Sequence, residues 1–247
     1  MAEKILLNVD RRGLLRAGAT MVTALAARQT AFAQAGADRI KIGVIGSGHI
    51  GGTIGGLWVK AGHPVLFSSR HPEELMSLVE GLGPLAKAGT VAEALDFAPV
   101  VLVAVPYKAI PELAKDYGAK FVGKIVIDPA NAVARRDGDE LLAETKEKGI
   151  GVTTESYLKG SHVVRAFNSM GYMNFVNEAH RAGEPMAIPM AGDDPHAVEV
   201  ASQLVRDAGF DPVVVPLQRA QEFAQGGPIY GQQLTAKVLR ARFGLTN

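Results

Sequence analysis

Residues 40–52 read IKIGVIGSGHIGG, an apolar run that passes without a break into three glycines spaced G-x-G-x-x-G. Alternation is absent from Ile40 to Ile45, as expected for a strand covered on both faces. Helical character follows from His49 to Ala61 and ends at Gly62, so the glycines fall where a strand feeds a helix. Each glycine then has its own task. Gly46 permits a tight turn, Gly48 leaves room for a pyrophosphate to approach the backbone, and Gly51 lets helix and strand pack closely. The first N–H groups of that helix, at the positive end of its dipole, suit an anion.

Outward from this stretch the pattern repeats. Pro64–Ser68 reads as a second strand and Glu73–Glu80 as a second helix, with Pro72 suited to its first turn. After a weaker segment around Gly89 come a short helix in VAEALDFA, a strand over Pro99–Val105, a helix over 108–117 and a strand over Lys124–Ile127. Asp128-Pro129-Ala130-Asn131 is the exit loop of that strand, and no element is assigned between Asn131 and His162. His162–Phe167, Pro185–Met190 and Pro212–Val215 are further strand candidates, with a helix from Pro195 to Ala208. From Gln218 a helical segment broken by Gly226-Gly227-Pro228 runs to the end. The fold class is α/β, a Rossmann-type doubly wound, mainly parallel sheet with added C-terminal strands and a short helical tail. Its expected bounds are 38–217 for the nucleotide-binding domain and 218–247 for the tail.

Composition narrows the function. Of the 247 residues 47% are hydrophobic, enough for an ordinary core, and the net charge of +1 with no basic block excludes the electrostatic footprint of a nucleic-acid binder. There are no cysteines, so disulfides and thiolate chemistry are excluded. The six histidines show neither an i, i+4 pair nor H-E-x-x-H, and no metal site is expected.

Residues 1–33 read differently from the remainder. Asp10-Arg11-Arg12-Gly13 precedes an uncharged stretch from Ala17 to Ala27, with Arg28 near a small-x-small site at Ala31-Phe32-Ala33. The stretch is short for a membrane span, which needs about 20 apolar residues. The combination resembles a twin-arginine signal peptide, implying recognition by export machinery and a periplasmic or exported protein; an uncleaved leader would leave it cytoplasmic.

The end of the second strand bears on the nucleotide. A site for NAD places Asp or Glu there to bond the ribose 2′-hydroxyl, whereas this chain has Phe67-Ser68-Ser69-Arg70-His71. Ser69 offers a donor and Arg70 a guanidinium suited to a 2′-phosphate, which favours NADP(H).

On GVIGSGHIGG, the SSR that closes the second strand, VAVPYKA, VIDPANAV and VVRAFNSM, residues 40 to about 217 resemble the NADP oxidoreductases that depend on coenzyme F420, a deazaflavin. The resemblance implies hydride transfer between NADPH and a flavin- or deazaflavin-like small acceptor. It also implies that Gly46, Ser47, Gly48, His49 and Ile50 line the pyrophosphate, Ser69 and Arg70 the 2′-phosphate, and Pro106, Ala130 and Asn131 the nicotinamide end. Two positions depart from the family pattern: Pro72-Glu73-Glu74 stands where a basic residue is frequent, and Asn168 where the deazaflavin enzymes tend to have histidine. Asn168, Arg219 and Tyr230 are the candidate acceptor contacts, and no catalytic acid–base pair is assigned. A homodimer is compatible with this reading.

Two other classes remain in view, a non-catalytic redox-sensing nucleotide binder and a dehydrogenase of another small substrate. β-Hydroxyacid and phosphogluconate dehydrogenases use a lysine beyond the Rossmann domain and a long helical second domain, but no lysine occurs between Lys159 and Lys237. The short tail argues equally against a pyrroline-5-carboxylate reductase.

Overall fold

The computed structural model describes residues 39–245, and the expected leader lies outside them. Among the described residues a single sheet runs in the order β3-β2-β1-β4-β5-β6-β7-β8. Its strands are β1 (Ile42–Ile45), β2 (Val65–Ser68), β3 (Ala86–Gly89), β4 (Val100–Val103), β5 (Ile125–Asp128), β6 (His162–Arg165), β7 (Ala187–Ala191) and β8 (Asp211–Val215). β1 to β6 are parallel, in the order of a Rossmann sheet, with Ile42 opposite both Val65 and Val100. β7 meets β6 antiparallel through Arg165 and Ala191, and β8 then runs parallel to β7.

The absence of alternation in the strand sequences has a direct cause. Ile42, Val44, Val100, Leu102, Ile125 and Ile127 pack into one apolar cluster, whereas Ile45, Val101, Val103 and Val126 belong to another. Successive side chains point to opposite faces, and both faces are covered. The first cluster is roofed by α1 (His49–Lys60), α2 (Met76–Leu82), α8 (Tyr172–Glu178) and α9 (Pro195–Asp207), which contribute Trp58, Val79, Phe175 and Leu204. Trp58 is fully buried and donates from Nε1 to the Leu204 carbonyl oxygen at 2.7 Å, fastening α1 to α9. The second cluster takes Leu95 from α3 (Val91–Phe97), Phe121 from α4 (Ile110–Phe121) and Ile150 from α7 (Ile150–Tyr157). Phe223, Ile229, Leu239 and Phe243 of the tail join it. The tail is therefore built into the core of the same unit; after a 3-10 turn at Leu217–Glu222 it ends in α10 (Ala236–Arg242).

Three differences from the sequence reading have physical reasons. β3, AKAG, has weak strand propensity but forms because it completes the edge beside β2, with Val65 opposite Ala86. The stretch after Asn131 contains α5 (Ala134–Asp137), α6 (Asp139–Lys148) and α7; α6, DELLAETKEK, buries only Thr145, so no apolar stripe announced it. The second helix starts as a 3-10 turn over Pro72–Leu75.

Below the ends of β5 and β6 lies a buried polar network. Asp128 and Arg165 are both fully buried and paired, and the Arg165 guanidinium also donates from Nη2 to the Ala130 carbonyl at 2.6 Å. Asp128 Oδ1 accepts from the Ala130 N–H at 2.8 Å, and its Oδ2 from the Thr154 hydroxyl at 2.8 Å. Tyr107 completes the network at 3.0 Å from Thr154. Burial, and then the nearby Asp128 carboxylate, raise the Tyr107 phenol above its ordinary value, keeping it neutral. The network clamps both polar groups of Ala130 and so fixes the loop after β5. Removing one member of a buried pair strands the other charge, so Asp128→Ala should lose about 3–5 kcal/mol of stability. Urea denaturation should show this loss, and the double variant Asp128→Leu/Arg165→Met should lose markedly less. A single variant as stable as the wild type would contradict the assignment.

Candidate dinucleotide-binding cleft

The parallel strands β1, β4, β5 and β6 all end at one edge of the sheet, and the loops that leave them enclose a cleft of about 540 Å³. Strand order reverses between β1 and β4, the topological switch point where open α/β sheets bind their ligands. Gly48, His49 and Ile50 come from the β1 exit, Pro106 from β4, Ala130 and Asn131 from β5, and Asn168 from β6. Eight of the sequence candidates meet there once Tyr230 from the tail is added.

The three glycines prove to be physically distinct. Gly46 has φ +90°, and a Cβ on it would lie 2.5 Å from the Ala104 carbonyl oxygen, so the turn itself requires it. At Gly51 a Cβ would lie 2.0 Å from the carbonyl oxygen of Gly46, so this glycine allows α1 to seat against the turn. Gly48 has neither need. Its φ of −73° suits any residue, and a Cβ there would meet nothing within 4 Å. It lines the cleft just ahead of α1, whose first turn carries no acidic residue. The first orphan N–H groups of α1, unoccupied by any side-chain cap, stand at that point.

The neighbouring loops are held rigidly. Ser47 Oγ donates to the Ser68 carbonyl at 3.1 Å, which ties the glycine turn to the end of β2. Asn131 donates from Nδ2 to the Asn168 carbonyl at 2.7 Å and accepts at Oδ1 from the Gln225 N–H at 3.2 Å, linking the exits of β5 and β6 to the tail. Asp137 accepts from the N–H groups of Val133 at 2.8 Å and Lys108 at 3.2 Å, and from the Arg136 guanidinium. Burial would raise its carboxyl, but these hydrogen bonds outweigh it and hold the group below its ordinary value.

Ser69 and Arg70 lie at the end of β2, outside the cleft lining. Ser69 Oγ accepts from the His71 N–H at 3.1 Å, and Arg70 is exposed. Arg219 is placed elsewhere: its guanidinium bonds Glu222 at 2.6 and 2.9 Å and the Phe243 carbonyl at 3.1 Å, and it does not line the cleft. Sequence reasoning missed Arg136, Phe167, Tyr172 and Gln225, all of which line it. Tyr172 stacks on His49 with ring centroids 4.3 Å apart and planes 10° from parallel, a pairing that no local pattern signals. Phe167 was read as the last residue of a strand over His162–Phe167, but β6 ends at Arg165 and Phe167 lies beyond it with φ +60°. Among the described residues no group of three histidine, aspartate or glutamate side chains could hold a metal ion.

Residues 41–132, from β1 through the β5 exit loop, match the family model described as NADP oxidoreductase, coenzyme F420-dependent. The fold is also that of solved structures. The hypothetical protein SMa0349 from Sinorhizobium meliloti has a TM-score of 0.70 at 24% identity, over 79% of this chain and 95% of its own. A candidate F420-dependent NADP reductase from Arthrobacter sp. FB24 has a TM-score of 0.66 at 22% identity, over 84% and 96%. An imine reductase from Pseudomonas sp. has a TM-score of 0.52 at 15% identity, over 83% of this chain but 62% of its own. No curated protein matches the sequence. These likenesses together establish a Rossmann-like α/β fold, with an oxidoreductase family model matched over residues 41–132.

The contrast between the glycines can be measured. Gly48→Val should keep the wild-type melting temperature and abolish dinucleotide binding by calorimetry, whereas Gly51→Val should unfold the domain or sharply lower its melting temperature. Binding retained by Gly48→Val would make that glycine incidental.

Proposed function

We propose that the cleft binds NADP(H) and that the protein transfers hydride between its nicotinamide and a small flavin- or deazaflavin-like acceptor. The observation that carries this reading is Gly48, a glycine required by neither backbone nor packing, placed at free helix N–H groups beside the cleft. A pyrophosphate explains both features, because it needs close backbone approach and unshared donors. The family model over residues 41–132 supports the same cofactor.

Bound NADPH supplies the hydride. In this reading the N–H groups at the start of α1 hold the pyrophosphate, and Ser69 with Arg70 hold the 2′-phosphate. Pro106, Ala130 and Asn131 confine the nicotinamide end, with Ala130 fixed by the Asp128–Arg165 pair. Asn168 and Tyr230 face the acceptor. Hydride transfer between conjugated rings asks mainly for orientation and exclusion of water, so this reading requires no acid–base pair. The twin-arginine reading of residues 1–33 adds that the protein is exported folded, with its nucleotide inserted.

Two measurements test the proposal. A charge-assisted hydrogen bond is worth about 1.5–3 kcal/mol, so Arg70→Ala should weaken NADPH by roughly one to two orders of magnitude and leave NADH nearly unchanged. Equal losses for both would contradict the NADP preference, and NADPH binding without oxidation across a flavin panel would favour a sensor. For export, replacing Arg11 and Arg12 with lysine should leave the chain unprocessed and inside the cell; a double variant still cleaved and exported would overturn the leader reading.

A further inference from the structure

Two helices begin at the cleft in the same way. α1 and α8 pack into the same apolar cluster on one face of the sheet, and each is preceded by a glycine at its N-cap, Gly48 and Gly171. Gly171 has φ −74° and ψ 156°, values open to any residue, and a Cβ on it would meet nothing within 4 Å. A capping side chain would serve the helix better. Gly171 thus repeats what was found at Gly48, a glycine that neither backbone nor packing demands, and both line the cleft. Along this side the backbone is bare.

The next residue of each helix completes the pattern. His49 and Tyr172 stack with ring centroids 4.3 Å apart, and both line the cleft, His49 exposed and Tyr172 half-buried. One turn further on, Phe175 is fully buried with its ring 5.6 Å from that of Phe167, so the start of α8 is anchored independently of Tyr172. Among the described residues neither stacked side chain makes a hydrogen bond or an ion pair. The rings can therefore part by side-chain rotation while both helices stay in place.

We infer that Tyr172 is a positioning residue that acts through His49: their stack closes this side of the cleft over the diphosphate of a bound dinucleotide and sets how fast it enters and leaves. The inference rests on the dinucleotide reading above. Gly48 and Gly171 leave the space that the diphosphate occupies, and the ring pair joins the two helix starts beside it. Both rings belong to the protein, so parting them costs nearly the same whether the cleft is filled or empty. Such a closure slows entry and exit alike and leaves their ratio, the affinity, almost unchanged.

Stopped-flow fluorescence of NADPH gives both rates, association by mixing and dissociation by a chase with excess NADP+. An aromatic pair of this kind corresponds to a factor of about three to ten, so Tyr172→Leu should raise both rates by that amount while Kd moves by less than about twofold. Tyr172→Phe keeps a stacking ring and should retain the wild-type rates. His49→Leu breaks the same stack from its exposed partner, so it should match Tyr172→Leu and add nothing when the two are combined; it carries the test if Tyr172→Leu melts early. Unchanged rates in the leucine variants overturn the inference. So does a slower association or a weakened Kd at constant association rate, which would make Tyr172 a ligand contact, and so does a phenylalanine variant as fast as the leucine one. Failure of the wild type to bind NADPH at all overturns the functional reading, and this inference with it.

Discussion

The close approach of α1 to the sheet at its glycines is the constraint on which the rest of the structure depends. At Gly51 a Cβ would stand 2.0 Å from the Gly46 carbonyl oxygen, and at Gly55 it would stand 2.4 Å from the Phe67 ring. On the other side of β1, Gly43 brings the strand against the Ala94 carbonyl, where a Cβ would lie 2.5 Å away. Only a chain lacking side chains at these points lets helix and strand approach so closely. That approach delivers the start of α1, with its orphan N–H groups, to the mouth of the cleft.

A second constraint holds the opposite wall. The Asp128–Arg165 pair is fully desolvated, and such a pair is poor evidence of net stabilisation by itself. Its value here is geometric, since Ala130 is gripped at both its N–H and its carbonyl and the loop that carries Asn131 has little freedom. Asn131 in turn fixes the neighbouring Asn168 and the tail at Gln225. The cleft therefore has one wall set by missing side chains and another set by a continuous chain of polar contacts.

Much of the fold is legible in the sequence. The uninterrupted apolar runs at β1, β4 and β5 identified buried parallel strands, and the glycine spacing placed the turn that opens α1. The missing carboxylate at the end of β2 was legible too, and the structure places Ser69 and Arg70 at that strand end, outside the cleft lining. What escaped depends on distant pairing. β3 is a strand because β2 lies beside it, α6 is a helix without an apolar stripe, and Tyr172 reaches the cleft through a ring stack with His49, a residue far away in sequence. Arg219 is engaged by Glu222, three residues on in the same 3-10 turn, and by the distant Phe243 carbonyl, which becomes its neighbour only after folding. The separate tasks read from the glycine spacing have a counterpart in the structure: a Cβ at Gly46 or Gly51 would strike backbone, whereas one at Gly48 would meet nothing within 4 Å.

The central claim, that the strand exits of β1, β4 and β5 form a dinucleotide site, is tested most directly by amide hydrogen exchange with and without NADP+. The account predicts that added nucleotide slows exchange at residues 48–51 and in the loops at 104–106 and 130–132, while the distant end of the sheet is unchanged. Nucleotide that binds without altering exchange at residues 48–51, or that protects a different face of the sheet, would contradict it.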